Sequence, residues 1–253
     1  MNYRICLAYD GTRYDGWQRQ GNTERTIQGR LERVLERMAG VPVEVCGSGR
    51  TDAGVHAEGQ VANFHLEQKQ ASQGTFWEPE AICSYLNRYL PEDIAVLSCE
   101  RAPERFHSRL SALRKTYRYQ IETGPRRDVF ARNYYYGLGQ SLDEEAMRQA
   151  AAILTGTHDF RSFCGNRRMK KSTVRTIESI SFCHPDATRL HILVTGNGFL
   201  QQMVRILTGT LIETGLGKRR PEEMEAILAA CDRQAAGFTA PAQGLFLAGV
   251  EYE

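Results

Sequence analysis

Two kinds of hydrophobic spacing alternate along the chain, and this alternation limits the folds that are open to it. In residues 2–9 apolar side chains fall at every second position, which predicts a β-strand with one buried face. In residues 26–39 they recur at helical spacing, which predicts an amphipathic helix that ends at Gly40. The same spacing predicts strands near 43–47, 59–66, 94–99, 116–121, 173–183, 189–195 and 245–252, and helices near 78–89, 143–154, 199–213 and 221–231.

Neighbouring strands in the second half argue against a purely parallel sheet. The segments near 173–183 and 189–195 are separated by too few residues for a crossover helix, so they predict a hairpin. We therefore expect an α+β fold of two related lobes, although no residue-level repeat is present. Because no long linker is found, the boundary is expected near 101–113, with an N-terminal lobe at 1–105 and a C-terminal lobe at 106–253.

The composition is typical of a soluble globular protein. Hydrophobic residues make up 42% of the chain and charged residues 25%, which is enough for a sizeable core. The seven cysteines are scattered and form no CxxC pair, so they are read as reduced thiols rather than a disulfide framework. No segment has the length of a transmembrane helix or the apolar core of a signal peptide. A cytoplasmic location is expected.

Positive charge is concentrated in two segments although the formal net charge is only +2. Residues 101–132 contain nine Lys or Arg and three acids, and the six cations between Asp159 and Glu178 are accompanied by no acid. These cations are Arg161, Arg167, Arg168, Lys170, Lys171 and Arg175. Such segments are either solvated faces whose charge is compensated in the fold, or contacts for a phosphate backbone. Nearby tyrosines favour RNA, because RNA-binding proteins stack bases on aromatic rings.

The segment from Gly49 to Ala57 carries the strongest chemical signal. It places Asp52 two residues after Arg50, in a glycine-rich loop that follows a short apolar run. Glycines allow the backbone to approach a ligand closely, and the Arg50 guanidinium would favour the ionised carboxylate of Asp52. A lone ionised aspartate suits nucleophilic or electrostatic catalysis. The alternative is a surface turn with an ordinary ion pair, and residue types alone do not decide between the two.

This loop resembles the signature of the tRNA pseudouridine synthase A family. The resembling run is Gly-Arg-Thr-Asp-Ala-Gly-Val-His at 49–56, followed by Gly59, Gln60, Val61 and Phe64. Similar blocks occur in the order of the family at 8–20, 26–32, 86–94, 106–119, 156–160, 175–177, 198–205 and 244–245. The resemblance implies a pseudouridine synthase fold, with two lobes of largely antiparallel sheet flanking a basic cleft.

The resemblance also implies the chemistry. A pseudouridine synthase breaks the bond between ribose C1′ and uracil N1, turns the base and rejoins it through C5, so no atoms are added and no cofactor or metal is required. Asp52 would be the nucleophile or electrostatic partner of the sugar, and the sequence does not decide whether it attacks C1′ or acts through a glycal. Tyr117 would stack on the uracil, Arg50 would pair with Asp52 and hold the nucleotide out of the stack, and Arg205 is a further candidate for the pocket.

Each of these residues also has a purely structural interpretation. Tyr117 lies on the expected inner face of a strand and would be a core residue without the resemblance. Arg205 would be a helix arginine facing water, and the six histidines show no spacing typical of a metal site.

The implied substrate is the anticodon stem-loop of tRNA, at positions thirty-eight, thirty-nine and forty, and the implied assembly is a homodimer. A non-catalytic RNA-binding protein would be expected to lack Asp52 or Tyr117, and both are present. A hydrolase would need a second carboxylate or metal ligands beside Asp52, and the motif supplies neither.

Overall fold

In the computed structural model, which describes residues 1–67, 77–166 and 168–253, the chain leaves one compact unit at Leu113 and returns to it at Leu247. The first unit therefore comprises Met1–Leu113 and Leu247–Glu253, and the second comprises Arg114–Phe246. The expected lobes at 1–105 and 106–253 remain a prediction; the compact units have other bounds because the end of the chain rejoins the first.

An antiparallel sheet forms the centre of the first unit. Strand β1 (Asn2–Tyr9) lies between β3 (His56–His65) and β4 (Ile94–Ala102), and it is antiparallel to both. The short strand β2 (Val45–Gly47) also pairs with β3, and the last strand, β10 (Leu245–Glu251), lies on the other side of β3. The alternation predicted for residues 2–9 is confirmed, since every second side chain of β1 is buried.

Two helices cover this sheet, and the first is well specified by its sequence. Helix α1 (Ile27–Ala39) begins after Thr26, whose side chain accepts a hydrogen bond from the backbone N–H of Gly29. It ends at Gly40, which has a φ of 76° in the left-handed region, as the sequence predicts. Helix α2 (Pro79–Tyr89) begins with proline at its first turn, where the missing N–H costs nothing.

Strand pairing in the second unit is also mostly antiparallel. Its strand order is β5 (Arg114–Glu122), β9 (Arg189–Gly196), β8 (Val174–Asp186) and β7 (Gly156–Asp159). The predicted hairpin is confirmed, because β8 and β9 pair directly and antiparallel. The two-residue strand β6 (Tyr136–Gly137) adds a parallel pair beside β5. The α+β prediction is therefore confirmed at the level of both units.

Three α-helices occur among the described residues of the second unit, and one of them is buried on nearly all sides. They are α3 (Glu144–Leu154), α4 (Met203–Gly215) and α5 (Glu223–Ala230). Helix α4 begins four residues later than its sequence pattern predicts, because Gln202 adopts a left-handed conformation with a φ of 59°. No helix in the described part of the chain is long and apolar enough to cross a membrane.

The segment 237–240 packs directly along α4. The backbone N–H of Ala240 donates to the carbonyl of Arg205, and that of Gly237 donates to the hydroxyl of Thr210. A Cβ atom on Gly209 would lie only 1.9 Å from the carbonyl oxygen of Phe238. Glycine at this position therefore permits the close approach of the helix and the segment.

We predict that Gly209→Ala lowers the free energy of unfolding by about 3 kcal/mol, because overpacking against backbone outweighs the ~1 kcal/mol that alanine gains in helix propensity. The measurement is urea unfolding followed by circular dichroism. Gly21→Ala is the control, since a Cβ on Gly21 meets no atom within 4 Å and the change should stay below about 1 kcal/mol. Equal midpoints for the two variants would contradict the packing argument.

Candidate active site

The loop that carries Asp52 joins β2 to β3 in the first unit. Asp52 is half-buried, Thr51 before it is buried, and Ala53 after it is exposed. The backbone N–H of Val55 donates to the carbonyl of Asp52 at 3.1 Å, and Gly54 takes a φ of 77° to complete the turn. Asp52 thus lies in a tight turn between the buried residues Thr51 and Val55.

A segment from the N-terminal part of the chain lies along this loop and fixes its backbone. The N–H of Trp17 donates to the carbonyl of Thr51 at 3.0 Å, and the N–H of Gly54 donates to the carbonyl of Tyr14 at 3.3 Å. Gly16, between them, has a φ of 104°, and a Cβ there would lie 2.8 Å from the Thr51 oxygen. The close approach therefore requires glycine.

Beneath the loop, the side chain of Gln60 is completely buried and bonded at both ends of its amide. Its Oε1 accepts a hydrogen bond of 2.6 Å from the hydroxyl of Ser48, and its Nε2 donates to the carbonyl of Gly49 at 3.0 Å. Nε2 also lies 3.4 Å from the hydroxyl of Tyr9, which shares a 2.8 Å hydrogen bond with Thr51 Oγ1. One side chain thus holds the residues just before Asp52, directly and through Tyr9.

Aromatic packing closes the space behind this network. The rings of Tyr9 and Trp17 lie with their centroids 6.1 Å apart, and Trp17 is almost fully buried. A Cβ on Gly47 would approach the Trp17 ring to 2.5 Å, so the indole lies flat against the backbone of β2. The loop therefore has a rigid floor.

A histidine at the end of the loop is also part of the scaffold. His56 is 1% exposed, and its Nδ1 lies 3.1 Å from both the backbone nitrogen of Gly11 and the carboxylate of Asp10. When the Gly11 N–H donates to Nδ1, that nitrogen must be unprotonated and the ring proton lies on Nε2. The same Asp10 carboxylate accepts from the N–H of Thr12, which holds the turn after β1, and the bond from Gly11 to His56 ties that turn to the start of β3.

The structure places the sequence-predicted site residues in both units. Asp52 and Arg50 belong to the first unit, and Tyr117 and Arg205 belong to the second. Arg50 is exposed, and its pairing with Asp52 remains a prediction.

Tyr117 occupies a buried position on β5, as its alternation predicts. Its ring meets the edge of Phe199 with the centroids 5.2 Å apart and the ring planes at 87°. Tyr119, two residues later on the same face, donates from its hydroxyl to the carbonyl of Pro241 at 2.8 Å. Burial raises the pKa of Tyr119 far above its ordinary value, although the charge of Arg205 opposes this shift.

Arg205 does not simply face water. It is half-buried in the first turn of α4, and its Nε donates to the carbonyl of Ala240 at 2.7 Å. The guanidinium is therefore held in a fixed position between α4 and the segment 237–240.

Several cations of the two basic segments are exposed to solvent, and others are paired with a carboxylate. Arg168, Lys170 and Lys171 are exposed, and Arg167 lies outside the described residues. Arg101 and Arg114, in the other basic segment, pair with Glu78 and Glu178 respectively. Among the described residues, no three His, Cys, Asp or Glu side chains come together in a way that could hold a metal ion.

We predict that the network below the loop weakens at high pH. Burial raises the pKa of Tyr9 from 10.0 to about 12, so the protein favours its neutral form. This preference contributes about 3 kcal/mol to the free energy of unfolding. The contribution is present in full below pH 10.0 and is lost as the pH rises to about 12. Urea unfolding of the wild type and of Tyr9→Phe between pH 8 and 12 measures it. The wild type should lose this extra stability relative to the variant, and parallel curves would show that Tyr9 does not titrate as inferred.

Comparison with known proteins identifies the family of the chain. A family model described as tRNA pseudouridine synthase matches residues 5–110 and 150–253, which include Asp52 and Arg205 but not Tyr117. A tRNA pseudouridine synthase A from Bacillus sp. strain KSM-64 is 45% identical over 251 residues, with 99% of each chain covered. A protein of the same name from Halalkalibacterium halodurans is 48% identical over 242 residues, covering 95% of this chain and 89% of the relative.

A solved structure, the archaeal box H/ACA sRNP Nop10–Cbf5 complex, aligns with a TM-score of 0.37 and 12% identity, covering 83% of this chain and 44% of that chain. The family model and the two relatives are sufficient to assign the family of the chain, and the solved structure is not needed for that assignment. The chain belongs to the tRNA pseudouridine synthase family, whose members are isomerases of tRNA uridines.

Proposed function

We propose that this enzyme isomerises uridines at positions thirty-eight, thirty-nine and forty of the tRNA anticodon stem-loop, with Asp52 as its catalytic nucleophile. The observation that supports this most strongly is the fixed presentation of one half-buried carboxylate by the buried Gln60 network. A residue held in this way loses little freedom when the substrate binds, which favours catalysis by orientation. The chain that carries it is 45% identical to a relative named tRNA pseudouridine synthase A.

In the proposed reaction every atom of the uridine is retained. The bond from C1′ to N1 breaks, a bond from C1′ to C5 forms, the proton of C5 leaves, and N1 gains a proton. Asp52 acts on the sugar, either by attack at C1′ or by assisting a glycal route. Both routes require its carboxylate to be ionised. Because the balance needs no external oxidant, reductant or group donor, we propose that no cofactor takes part.

The other site residues support these steps. Tyr117 provides a ring for the uracil to pack against and a hydroxyl that can accept the C5 proton. Arg205 supplies a fixed positive charge, and Arg50, being exposed, is available to occupy the gap left by a nucleotide that is turned out of the helix. A cytoplasmic location is proposed with this function.

We also propose a homodimer whose subunits share one tRNA. A tRNA is long compared with a chain of 253 residues, and the cations fall in two segments, 101–132 and 161–175. In a two-fold dimer both segments are presented twice. Affinity should then fall steeply with salt, because many phosphates are neutralised together.

Asp52→Asn should abolish pseudouridine formation while tRNA affinity stays within a few-fold. The amide keeps the size of the carboxylate but lacks its charge, so turnover should fall by at least about a hundredfold. The measurement combines single-turnover pseudouridine mapping with filter binding of an unmodified transcript. Glu92→Gln, which removes an exposed carboxylate elsewhere in the first unit, is the matched control. Residual turnover above about one per cent would rule out the assigned role.

Tyr117→Phe should slow turnover by about tenfold or more and leave binding nearly unchanged, because the ring remains and only the hydroxyl is removed. Tyr119→Phe is the control, since it removes a hydroxyl from the same face of β5 whose only proposed task is to bond Pro241. That control should lose about 1 kcal/mol of stability and keep its rate. An unchanged rate for Tyr117→Phe would make Tyr117 a packing residue.

Subunit mixing tests the shared tRNA. Asp52→Asn subunits are mixed with subunits in which Arg167, Arg168, Lys170 and Lys171 are replaced by alanine. If the subunits cooperate, the mixed dimer recovers pseudouridine formation that neither parent shows. Sedimentation is run at the assay concentration, and an active monomer there would refute the proposal.

A further inference from the structure

A pocket in the second unit is lined mostly by residues that the family model does not match. Of its lining residues, only Gln243 lies within the matched ranges. Its volume is about 260 Å³, and it opens between the end of β5, the loop that follows it, β6 and the residue Gln243. Tyr135 and Tyr136 supply aromatic walls, and Arg127 and Arg132 supply cations. None of these five residues is among the proposed site residues Arg50, Asp52, Tyr117 and Arg205, although Arg127 and Arg132 belong to the basic segment 101–132.

The inner wall of the pocket is fixed by one arginine. Arg189 on β9 contacts the carboxylates of Glu122 at 3.5 Å and Asp128 at 2.8 Å, both of which line the pocket. Its guanidinium lies 4.6 Å from the centroid of the Tyr135 ring, and the Tyr135 hydroxyl is 3.2 Å from Nε2 of His191. Backbone N–H groups of Ala131 and Phe130 donate to Asp128 as well, which holds the loop in shape.

Charge at the pocket is consequently uneven. Arg189 pairs with Glu122, Asp128 and Asp186, so its single positive charge offsets only part of their negative charge. Arg127 and Arg132 are exposed and form no salt bridge within the described residues, and the guanidinium of Arg132 donates to the carbonyl of Val129. The pocket therefore combines an interior rich in carboxylate acceptors with a cationic rim.

This combination suits one nucleotide. The volume is slightly below the ~300–1,000 Å³ of typical small-molecule sites, which favours a single base over a larger ligand. Tyrosine rings stack on bases of any sequence, and guanidinium groups bind phosphate through paired hydrogen bonds. The amide of Gln243 adds a donor and an acceptor that could read the edge of a base.

We propose that this pocket binds one unpaired nucleotide of the substrate RNA, with its base against Tyr135 and Tyr136 and its phosphate at Arg127 and Arg132. The inference rests on the proposed function for the identity of the RNA. Tyr117 and Glu122 are five residues apart on β5, which is about 17 Å along the strand. A nucleotide in the pocket would thus help to set which uridine of the same strand reaches the catalytic residues.

Gly137 offers a direct test. It lines the pocket, and a Cβ there would meet no atom within 4 Å, so Gly137→Leu adds volume without a backbone clash. The probe is an unmodified anticodon stem-loop RNA carrying one abasic nucleotide, placed at each unpaired position in turn, with affinity read by fluorescence anisotropy. In the wild type, one abasic position other than the target uridine should weaken binding about tenfold. In Gly137→Leu the full RNA should bind about tenfold weaker, and the same abasic change should have no further effect.

If the abasic change weakens RNA binding by the same factor in the wild type and in Gly137→Leu, the base and the pocket are not in contact. That result would overturn the proposal. Arg126→Ala is the matched control for Arg127→Ala, because Arg126 is the adjacent exposed arginine and does not line the pocket. Equal losses for these two variants would indicate a diffuse electrostatic surface instead of a site. Gly137→Leu that sediments as a monomer beside a dimeric wild type would identify a subunit contact and also overturn it.

Thermal unfolding of each variant verifies the fold. Pseudouridine formation by the wild type on the intact RNA is measured separately, so that failure of the proposed function is distinguished from failure of the pocket. An enzyme that is active on tRNA but shows no coupling between abasic position and Gly137→Leu refutes only the pocket.

Discussion

The side-chain amide of Gln60 is the contact on which the geometry of the proposed catalytic loop depends. Its oxygen and nitrogen meet Ser48, Gly49 and Tyr9, which come from two different stretches of the first unit. Buried polar groups are costly unless all their hydrogen bonds are formed, and once formed they specify one arrangement. An apolar residue could fill the same volume, but it could not determine the position of the Gly49 carbonyl. The network therefore contributes precision to the loop more than stability to the fold.

Much of the architecture could be predicted from the sequence because it depends on local patterns. The alternation in β1, the capping of α1 by Thr26 and Gly40, and the β8–β9 hairpin all follow from spacing and turn residues. The start of α4 could not be predicted in this way, because the left-handed Gln202 has no sequence signal. The apolar pattern continues through the turn, so periodicity alone extends the helix too far.

The sequence indicates which residues to consider for the site, but it does not indicate which contacts hold them in place. Asp52 stands out because a lone carboxylate follows an arginine between glycines, and its pairing with Arg50 stays a prediction. Gln60 and Tyr9 carry no chemical signal of their own, since a glutamine in a strand is normally placed toward solvent. The period-two pattern around Gln60 could have suggested an inward position for it, but only the structure shows which backbone atoms it meets. Long-range polar contacts are not encoded in any local spacing.

The return of β10 to the first unit makes the second unit an insertion within the first. Leu113 donates its N–H to the carbonyl of Glu251, and the hydroxyl of Tyr252 donates to the carbonyl of Ser108, so the last residues fasten the point where the insertion begins. During translation the second unit has all of its residues before the first unit does, because the first still waits for Leu247–Glu253. Of the two units, the one whose synthesis begins first is thus completed second, and the loop that presents Asp52 belongs to a finished unit only after Leu247–Glu253 has been made.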